Sequence, residues 1–170
     1  MSAEFAESAM SAEANQVLVR RLVEAHNNRD DAAIDELLAD GVAVHPLFHQ
    51  PVTLADRTRV PEGGTTMTRE MRRRNRAREC EEFPDLRMTI DALFAAGDVV
   101  TAVITNRGTH RSGKVVTWKA VIIHRIDGGK VVELWSQWDR LGYYQQLGLV
   151  PETAELLRQV DALGVAITAR

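Results

Sequence analysis

The amino-acid sequence predicts an α+β fold, in which N-terminal helices wrap a strongly curved, cone-shaped antiparallel sheet around an apolar pocket. Apolar residues recur at helical spacing in the first half of the chain and alternate with period two in the second half. Turns that contain Gly or Asp separate four alternating runs, as in an antiparallel meander. Helices that precede a meander pack on one face of its sheet, and long strands coil, so a pocket is expected inside.

Length and composition fit one domain: the chain has 170 residues, of which 45% are hydrophobic. A net charge of -3 gives no basic field to hold a nucleic acid. Cys80 is the only cysteine, which excludes an intrachain disulfide and a cysteine-based metal cluster and favours a cytoplasmic location. Residues 1–14 lack the pattern of a secretion signal and are predicted as a mobile tail, and no apolar run is long enough to cross a membrane.

The domain is expected over residues 15–150, beginning with a helix over 15–28. Asp30 or Asp31 is expected to cap a second helix that ends before Gly41, so that the two helices form a tight hairpin. Residues 42–49 alternate, but Pro46 within them and Pro51 just beyond lack the N–H that a strand ladder needs. They are therefore predicted to form at best a short edge strand.

A third helix is predicted over 66–82, where six arginines are interpreted as a solvated face with local ion pairs rather than an anion-binding site. Beyond Pro84 the period changes, and four strands are predicted, over 86–95, 99–109, 115–126 and 131–139. A helical turn over 142–149 follows. The extension 151–170 is predicted to form a C-terminal helix, since a proline at its start favours helix initiation.

The last strand carries the densest group of candidate site residues, because parity places four of them on one face: Glu133, Trp135, Gln137 and Asp139. An indole wall that binds a hydrophobic ligand, an amide that orients it and a carboxylate that moves a proton would suit a pocket. Two interpretations of Asp139 stay open. The carboxylate either transfers a proton in the pocket or caps the helical turn that follows it.

Histidines are the second group of candidates, because their unperturbed pKa lies close to neutral pH. His45, Phe48 and His49 fall on a segment expected to cross the mouth of the cone, where His45 lies either at the pocket rim or in a solvent-exposed loop. No Cys or acidic residue nearby completes a ligand set for a metal, so no metal site is expected. His110 lies at a strand end, where its side chain is expected either to reach the pocket rim or to remain on a surface turn.

His124 and Trp118 lie on the same face of one predicted strand. Parity leaves open whether they stand beside Trp135 or face the opposite side of the sheet. In the first arrangement both would line the ligand pocket.

Several motifs together resemble the SnoaL-like polyketide cyclase family of the nuclear transport factor 2 superfamily, over about Val17 to Pro151. They are Phe83-Pro84-Asp85-Leu86, the turn Ala96-Gly97-Asp98-Val99-Val100, Gly108-Thr109-His110, the hairpin from Arg125 to Glu133, and Trp135 followed by Asp139-Arg140-Leu141-Gly142. The first half agrees in order, with Asn28-Arg29-Asp30 at the helical bend and His45-Pro46 on the first strand.

The resemblance implies a hydrophobic cavity, no metal or cofactor, and frequently a homodimer formed through the outer face of the sheet. It also implies a ring-closing aldol condensation in which an aspartate acts as acid and base while a histidine holds the enolate. Asp139 is the matching carboxylate, with His45, His110 or His124 as its helper. Trp135, Gln137, Trp118, His124, Phe48 and His49 would bind the ligand.

The first functional hypothesis is therefore a cofactor-independent acid/base enzyme that acts on a hydrophobic, polyketide-like molecule. A non-catalytic module that binds a hydrophobic ligand or dimerises is the alternative, because the fold alone does not determine the chemistry. A ketosteroid isomerase-like enzyme or an epoxide hydrolase is a further alternative. The latter would need two carboxylates and an arginine deep in the pocket.

Overall fold

The computed structural model describes residues 2–46 and 64–162. Over these residues the chain forms five helices and six strands, in the order α1 (Ser2–Asn28), α2 (Asp31–Leu37), β1 (Leu38–Pro46), β2 (Thr65–Thr68), α3 (Arg69–Glu82), β3 (Arg87–Ala96), β4 (Val99–Thr109), β5 (Val115–Asp127), β6 (Lys130–Trp138), α4 (Arg140–Leu147) and α5 (Thr153–Ala162). The strands form one curved, unclosed sheet in the order β2-β1-β6-β5-β4-β3. The predicted α+β fold is confirmed.

The four strands of the meander agree with the prediction to within one residue at each end. They pair antiparallel with their neighbours in sequence, since short turns allow no other connection. A bulge interrupts the pairing of β3 with β4 between Ile90 and Ala92, and a bulge of this kind bends a strand and increases its twist. The curvature of the sheet follows from these long, twisted strands.

The predicted position of β1 at the edge of the sheet is wrong. β1 lies inside the sheet, antiparallel to β2 on one side and parallel to β6 on the other. Pro46 is the last residue of β1, so its missing N–H can remove a hydrogen bond only at the end of the strand ladder. β2, with four residues, was not predicted because so short a segment carries no readable period. The predicted continuation of β1 to His49 lies outside the described residues.

The helical hairpin is confirmed with shifted ends. α1 begins at Ser2, before the predicted start, and five alanines among the first fourteen residues favour helix there. The mobility of residues 1–14 stays a prediction. The Asp30 side chain caps α2 by accepting a hydrogen bond from the Ala33 N–H at 2.9 Å. α3 begins at Arg69, because Thr68 caps it through the Met71 N–H.

The main core lies between α1 and one face of the sheet, which we call the inner face. Val19 of α1 is fully buried, as are Val100 and Ala102 of β4, which lie two residues apart on the inner face. The opposite side of the sheet is called the outer face. Among the described residues, no helix has both the length and the hydropathy that crossing a membrane requires.

A second, smaller cluster lies beside the main core and is formed largely by aromatic rings. Its members are Phe83, Trp118, Trp138 and Tyr143, which we call the aromatic cluster. Trp118 and Trp138 each meet Tyr143 edge to face, with ring centroids 5.3 Å apart. The cluster joins the end of α3 to β5, β6 and α4. It continues the apolar interior towards one end of the sheet.

Candidate functional site

A cleft lies between the inner face and the helices, and we call it the interior cleft. Its lining includes His26 from the last turn of α1, Arg76, Glu79 and Cys80 from α3, and Met88 from β3. Phe83 of the aromatic cluster also lines it. The space open to the centre of a water molecule is about 20 Å³, which is room for one water. The cleft therefore admits one small polar group at a time.

Helix α3 supplies most of the charged lining, although its sequence is typical of a solvated helix. Arg72 and Arg76 are only 4% and 8% exposed, and Phe83 just beyond the helix is 3% exposed. The spacing of four residues between the arginines places them on one face of the helix. The interpretation of all six arginines as solvated is therefore wrong for these two, which turn inwards.

Arg72 is buried with a counter-charge. Its Nη2 donates to Asp35 Oδ1 at 2.9 Å, and Arg73 donates to the other carboxylate oxygen at 2.5 Å. Burial alone would raise the pKa of Asp35, but the hydrogen bonds from Arg72 and Arg73 outweigh it and lower that pKa. This ion pair anchors α3 to α2.

Arg76 joins two elements at the interior cleft. Its Nε donates to Asp31 Oδ1 at 2.5 Å, and its Nη1 lies 3.0 Å from His26 Nδ1. Because a guanidinium only donates, Nδ1 must accept, which leaves the ring proton on Nε2. Burial, and next the positive charge of Arg76, lower the pKa of His26 to about 4. His26 is therefore a neutral imidazole with a fixed tautomer.

Glu79 lies one turn further along α3 and lines the same cleft. Burial raises the pKa of its carboxyl group, Arg76 partly offsets the increase, and Glu82 adds to it. A carboxylate with a raised pKa is a stronger base and, once protonated, delivers its proton closer to neutral pH. The cleft thus combines a titratable carboxyl group with a neutral imidazole, an arrangement suited to moving protons.

His124 faces the inner side, which answers the question that parity left open. It pairs across the sheet with Val100 and Leu134, whereas Trp135 pairs with Ile123 on the outer face. His124 Nδ1 lies 3.3 Å from the Val100 carbonyl oxygen, and burial lowers the pKa of the imidazole to about 4. His124 and Trp135 therefore lie on opposite sides of the sheet.

The outer face holds the group that was predicted to form the pocket wall. His45 stacks on Trp135 with centroids 4.8 Å apart, and its Nε2 lies 2.7 Å from Glu133 Oε1. Arg125 donates to the other oxygen of Glu133 at 2.6 Å. Gln137, two residues beyond Trp135, shares this face and is exposed. The structure brings these residues together, but on the side away from the apolar core.

Asp139 lies just beyond β6 and caps α4. Its Oδ1 accepts a hydrogen bond from the Gly142 N–H at 2.9 Å, and the residue is exposed. A Cβ at Gly142 would come within 2.3 Å of the carboxylate, so a glycine accommodates this close cap. Of the two interpretations of Asp139, proton transfer and helix capping, the structure shows the helix cap. A catalytic role for Asp139 stays a prediction.

The remaining candidates are dispersed. His110 bonds to Ser112 within its own turn, and its ring contacts Phe83 edge to face at 5.3 Å. Trp118 belongs to the aromatic cluster. Phe48 and His49 lie outside the described residues. No two of the three predicted catalytic residues, Asp139, His45 and His110, are in contact among the described contacts of the chain.

Sequence reasoning missed His26, Arg76 and Glu79. One signal was available: α3 carries Arg72, Arg76 and Phe83 on one face where an ordinary packing helix carries aliphatic residues. A helix of 14 residues with so few apolar side chains has little to bury except these arginines. Charged residues at the positions of a packing face indicate a polar interior, and hence a site.

Comparison with known proteins gives a consistent result. The family model described as SnoaL-like polyketide cyclase matches residues 16–147. The structure resembles that of IdmH from Streptomyces antibioticus, provisionally assigned as a polyketide cyclase, with a TM-score of 0.68 and 27% identity over 79% of this chain and 98% of that one. No curated protein sequence matches the chain.

Two further solved structures share the fold at lower identity. AclR from Streptomyces galilaeus, provisionally assigned as a hydroxylase, has a TM-score of 0.67 and 21% identity over 89% of this chain and 92% of that one. A protein from Acidithiobacillus ferrooxidans, provisionally assigned as a polyketide cyclase, has a TM-score of 0.64 and 24% identity over 82% and 96%.

Proposed function

Because the chain belongs to the SnoaL-like polyketide cyclase family, we propose that its interior cleft binds the carbonyl end of a hydrophobic small molecule and catalyses proton transfer there. The observation that carries the proposal is the presence, in one cleft, of Glu79 with a raised pKa and of His26, which burial and the neighbouring Arg76 keep neutral. Neither group requires a metal or a cofactor for this chemistry.

Glu79 is the base in this mechanism. Its carboxylate takes a proton from the carbon next to the substrate carbonyl, and the electron pair of that C–H bond moves into the enolate. In an aldol ring closure, the enolate carbon then forms a C–C bond with a second carbonyl of the same molecule. Glu79 returns its proton to the alkoxide that forms, so that protons and charge balance over the cycle.

His26 is the donor to the enolate oxygen. Arg76 occupies Nδ1, so the N–H that remains on the imidazole is at Nε2. An imidazole with a low pKa is neutral at neutral pH. Its remaining N–H then stabilises a developing oxyanion by donating a hydrogen bond to it. Arg76 acts through His26 and is a positioning residue, and its positive charge also favours the enolate.

The size of the cleft limits which part of a substrate it can hold. Space for one water suits a carbonyl oxygen and its neighbouring carbon, not a whole ring system. The aromatic cluster borders the cleft at Phe83, whose ring packs on Trp118, so the wall beside the bound carbonyl group is apolar and aromatic.

Epoxide opening is the second candidate function, because Arg76 lies between two carboxylates. Asp31 bonds to its Nε, and Glu79 interacts with it electrostatically from one turn away. The Asp31 side chain is 55% exposed, whereas the predicted epoxide hydrolase site needs both carboxylates deep in the pocket. Enolate chemistry accounts for the buried groups better.

The protein also forms a homodimer through the outer face in this proposal. That face carries a partly apolar surface to which Phe94 and Val121 contribute, 63% and 39% exposed. Their cross-strand partners, Thr101 and Val103, continue the surface on β4. An apolar sheet face of this kind is typical of a surface that a second copy covers.

Deuterium exchange tests the enolate chemistry without knowledge of the natural substrate. The probe is 2-tetralone, an aromatic ketone whose α-protons exchange when an enolate forms. In D₂O the wild-type protein is expected to accelerate exchange, and Glu79→Gln is expected to lose a factor on the order of 10² or more, because Gln cannot accept the proton. Equal rates for the two proteins, or no acceleration by the wild type, would overturn the proposed chemistry.

A further inference from the structure

Asn106 is a buried polar residue that the proposed chemistry does not use. It lies in β4, is 5% exposed, and pairs across the sheet with Met88 of β3 and Trp118 of β5. Parity with the fully buried Val100 and Ala102 places its side chain on the inner face. Among the residues that the structure describes, the Asn106 side chain has no hydrogen-bond partner, and its amide atoms are not among the fully enclosed polar atoms without one.

The Asn106 amide therefore keeps a small opening to the interior of the protein. A largely buried polar group still requires a hydrogen-bond partner, because it has lost most of its hydration. Native proteins satisfy nearly all such groups with protein, water or a ligand. A water or a ligand that reaches the amide through this opening can be that partner.

The surroundings of Asn106 favour a ligand. Met88, its partner on β3, lines the interior cleft together with Phe83. A Cβ added at Gly108, two residues further on the same face, would lie 3.1 Å from the Phe83 ring, so that ring covers the sheet next to Asn106. Trp118, its partner on β5, has its ring 5.3 Å from Phe83. The amide thus lies among aromatic and thioether surfaces that border the cleft.

We propose that Asn106 is a ligand-binding residue whose side-chain N–H donates a hydrogen bond to an oxygen of the molecule in the interior cleft. The inference rests on the proposed function and deepens it: the ligand carries a second oxygen, a hydroxyl or a carbonyl, on an apolar ring away from the reacting carbonyl. Apolar walls with one well-placed polar group are typical of sites that orient a ligand. The site therefore selects oxygenated rings over hydrocarbon rings of the same shape.

A matched pair of probes, 2-naphthol and naphthalene, tests this selection by NMR titration against the wild type and Asn106→Leu. The variant is expected to bind 2-naphthol about fivefold to tenfold more weakly, as the loss of one hydrogen bond predicts, and to bind naphthalene as well as the wild type does. Gln159→Leu is the control, because it removes an amide from the exposed surface of α5, and it should change neither affinity.

Equal weakening of both probes by Asn106→Leu, or of neither, would overturn the inference, because the amide would then serve packing or hold a permanent water. Should the leucine variant fail to fold, Asn106→Ser keeps a smaller donor and is expected to retain part of the preference for 2-naphthol. If the wild type catalyses the exchange of 2-tetralone but binds 2-naphthol and naphthalene equally well, the role of Asn106 is overturned and the proposed function is not. A wild type that binds neither probe and exchanges no 2-tetralone would overturn the proposed function as well.

Discussion

Arg76 Nη1 lies 3.0 Å from His26 Nδ1, and this contact fixes the tautomer of the histidine and adds to the effect of burial in keeping the ring neutral. The guanidinium repels a proton from the ring and occupies the nitrogen that would otherwise accept one. The residues come from α3 and α1, about fifty positions apart in the chain, so the contact also ties the two helices together across the interior cleft.

Replacing Arg76 with methionine is expected to raise the pKa of His26 from about 4 towards its ordinary value. The pKa should stay below 6.5, because burial is the larger cause of the shift and remains in the variant. NMR titration of the imidazole resonances measures the change. Arg74→Met, on the exposed side of α3, is the control and should leave the titration unaltered. An unchanged His26 titration in Arg76→Met would contradict the electrostatic role of Arg76.

Acid should destabilise the protein between pH 6.5 and about 4, the window set by His26 and His124. In this window the unfolded chain binds protons that the folded chain does not, so stability is complete above pH 6.5 and falls as the pH decreases. At pH 4 each histidine is expected to cost about 3 kcal/mol. Denaturant unfolding at pH 7 and pH 4.5 measures the loss.

His124→Gln should make unfolding less dependent on pH in this window, because it removes one of the two buried imidazoles. His110→Gln, which changes a histidine in a turn, provides the matched control. A His124→Gln variant with the pH dependence of the wild type would show that His124 is not the buried neutral group described here.

Asp35→Asn is expected to lower the free energy of unfolding by about 3 kcal/mol, because it leaves the charge of Arg72 buried without a counter-ion. Arg72 is 4% exposed and can recover little hydration. Urea denaturation measures the effect. Glu155→Gln removes a partner from an exposed ion pair with Arg158 and should change the midpoint little. Equal effects of the two substitutions would mean that the interior of α3 is better hydrated than its burial indicates.

Val121→Lys is expected to convert a dimer into a monomer if the second copy covers the outer face, because it places a charge in the middle of that face. Light scattering after gel filtration reports the mass. Leu157→Lys, at a similarly exposed position on α5, should leave the mass unchanged. A wild type that elutes as a monomer at high concentration would rule out the interface.

The sequence was most informative where the period of apolar residues was long and regular. The meander strands and the helical hairpin follow from local spacing, because each strand or helix must bury one face. The position of β1 depended on pairing with β6, about ninety residues away, which no local pattern reveals. β2 was too short to show a period.

The candidate site was harder to predict, because a shift of one residue in register reverses every side chain of a strand. The sequence correctly placed Glu133, Trp135 and Gln137 on one face of β6, but only the register with β5 shows that this face points outwards. Similarly, helical spacing alone does not show that Arg76 faces inwards when most of α3 is charged. These choices are decided by tertiary packing.

The most direct test of the central claim compares Glu79→Gln with Asp139→Asn in the deuterium exchange of 2-tetralone. The account predicts that Glu79→Gln abolishes the acceleration, whereas Asp139→Asn keeps both the rate and most of the stability, because the Asn side-chain oxygen still caps α4 through the Gly142 N–H. The opposite result, exchange lost in Asp139→Asn and kept in Glu79→Gln, would contradict the interior cleft as the reacting site and return the proton transfer to the end of β6.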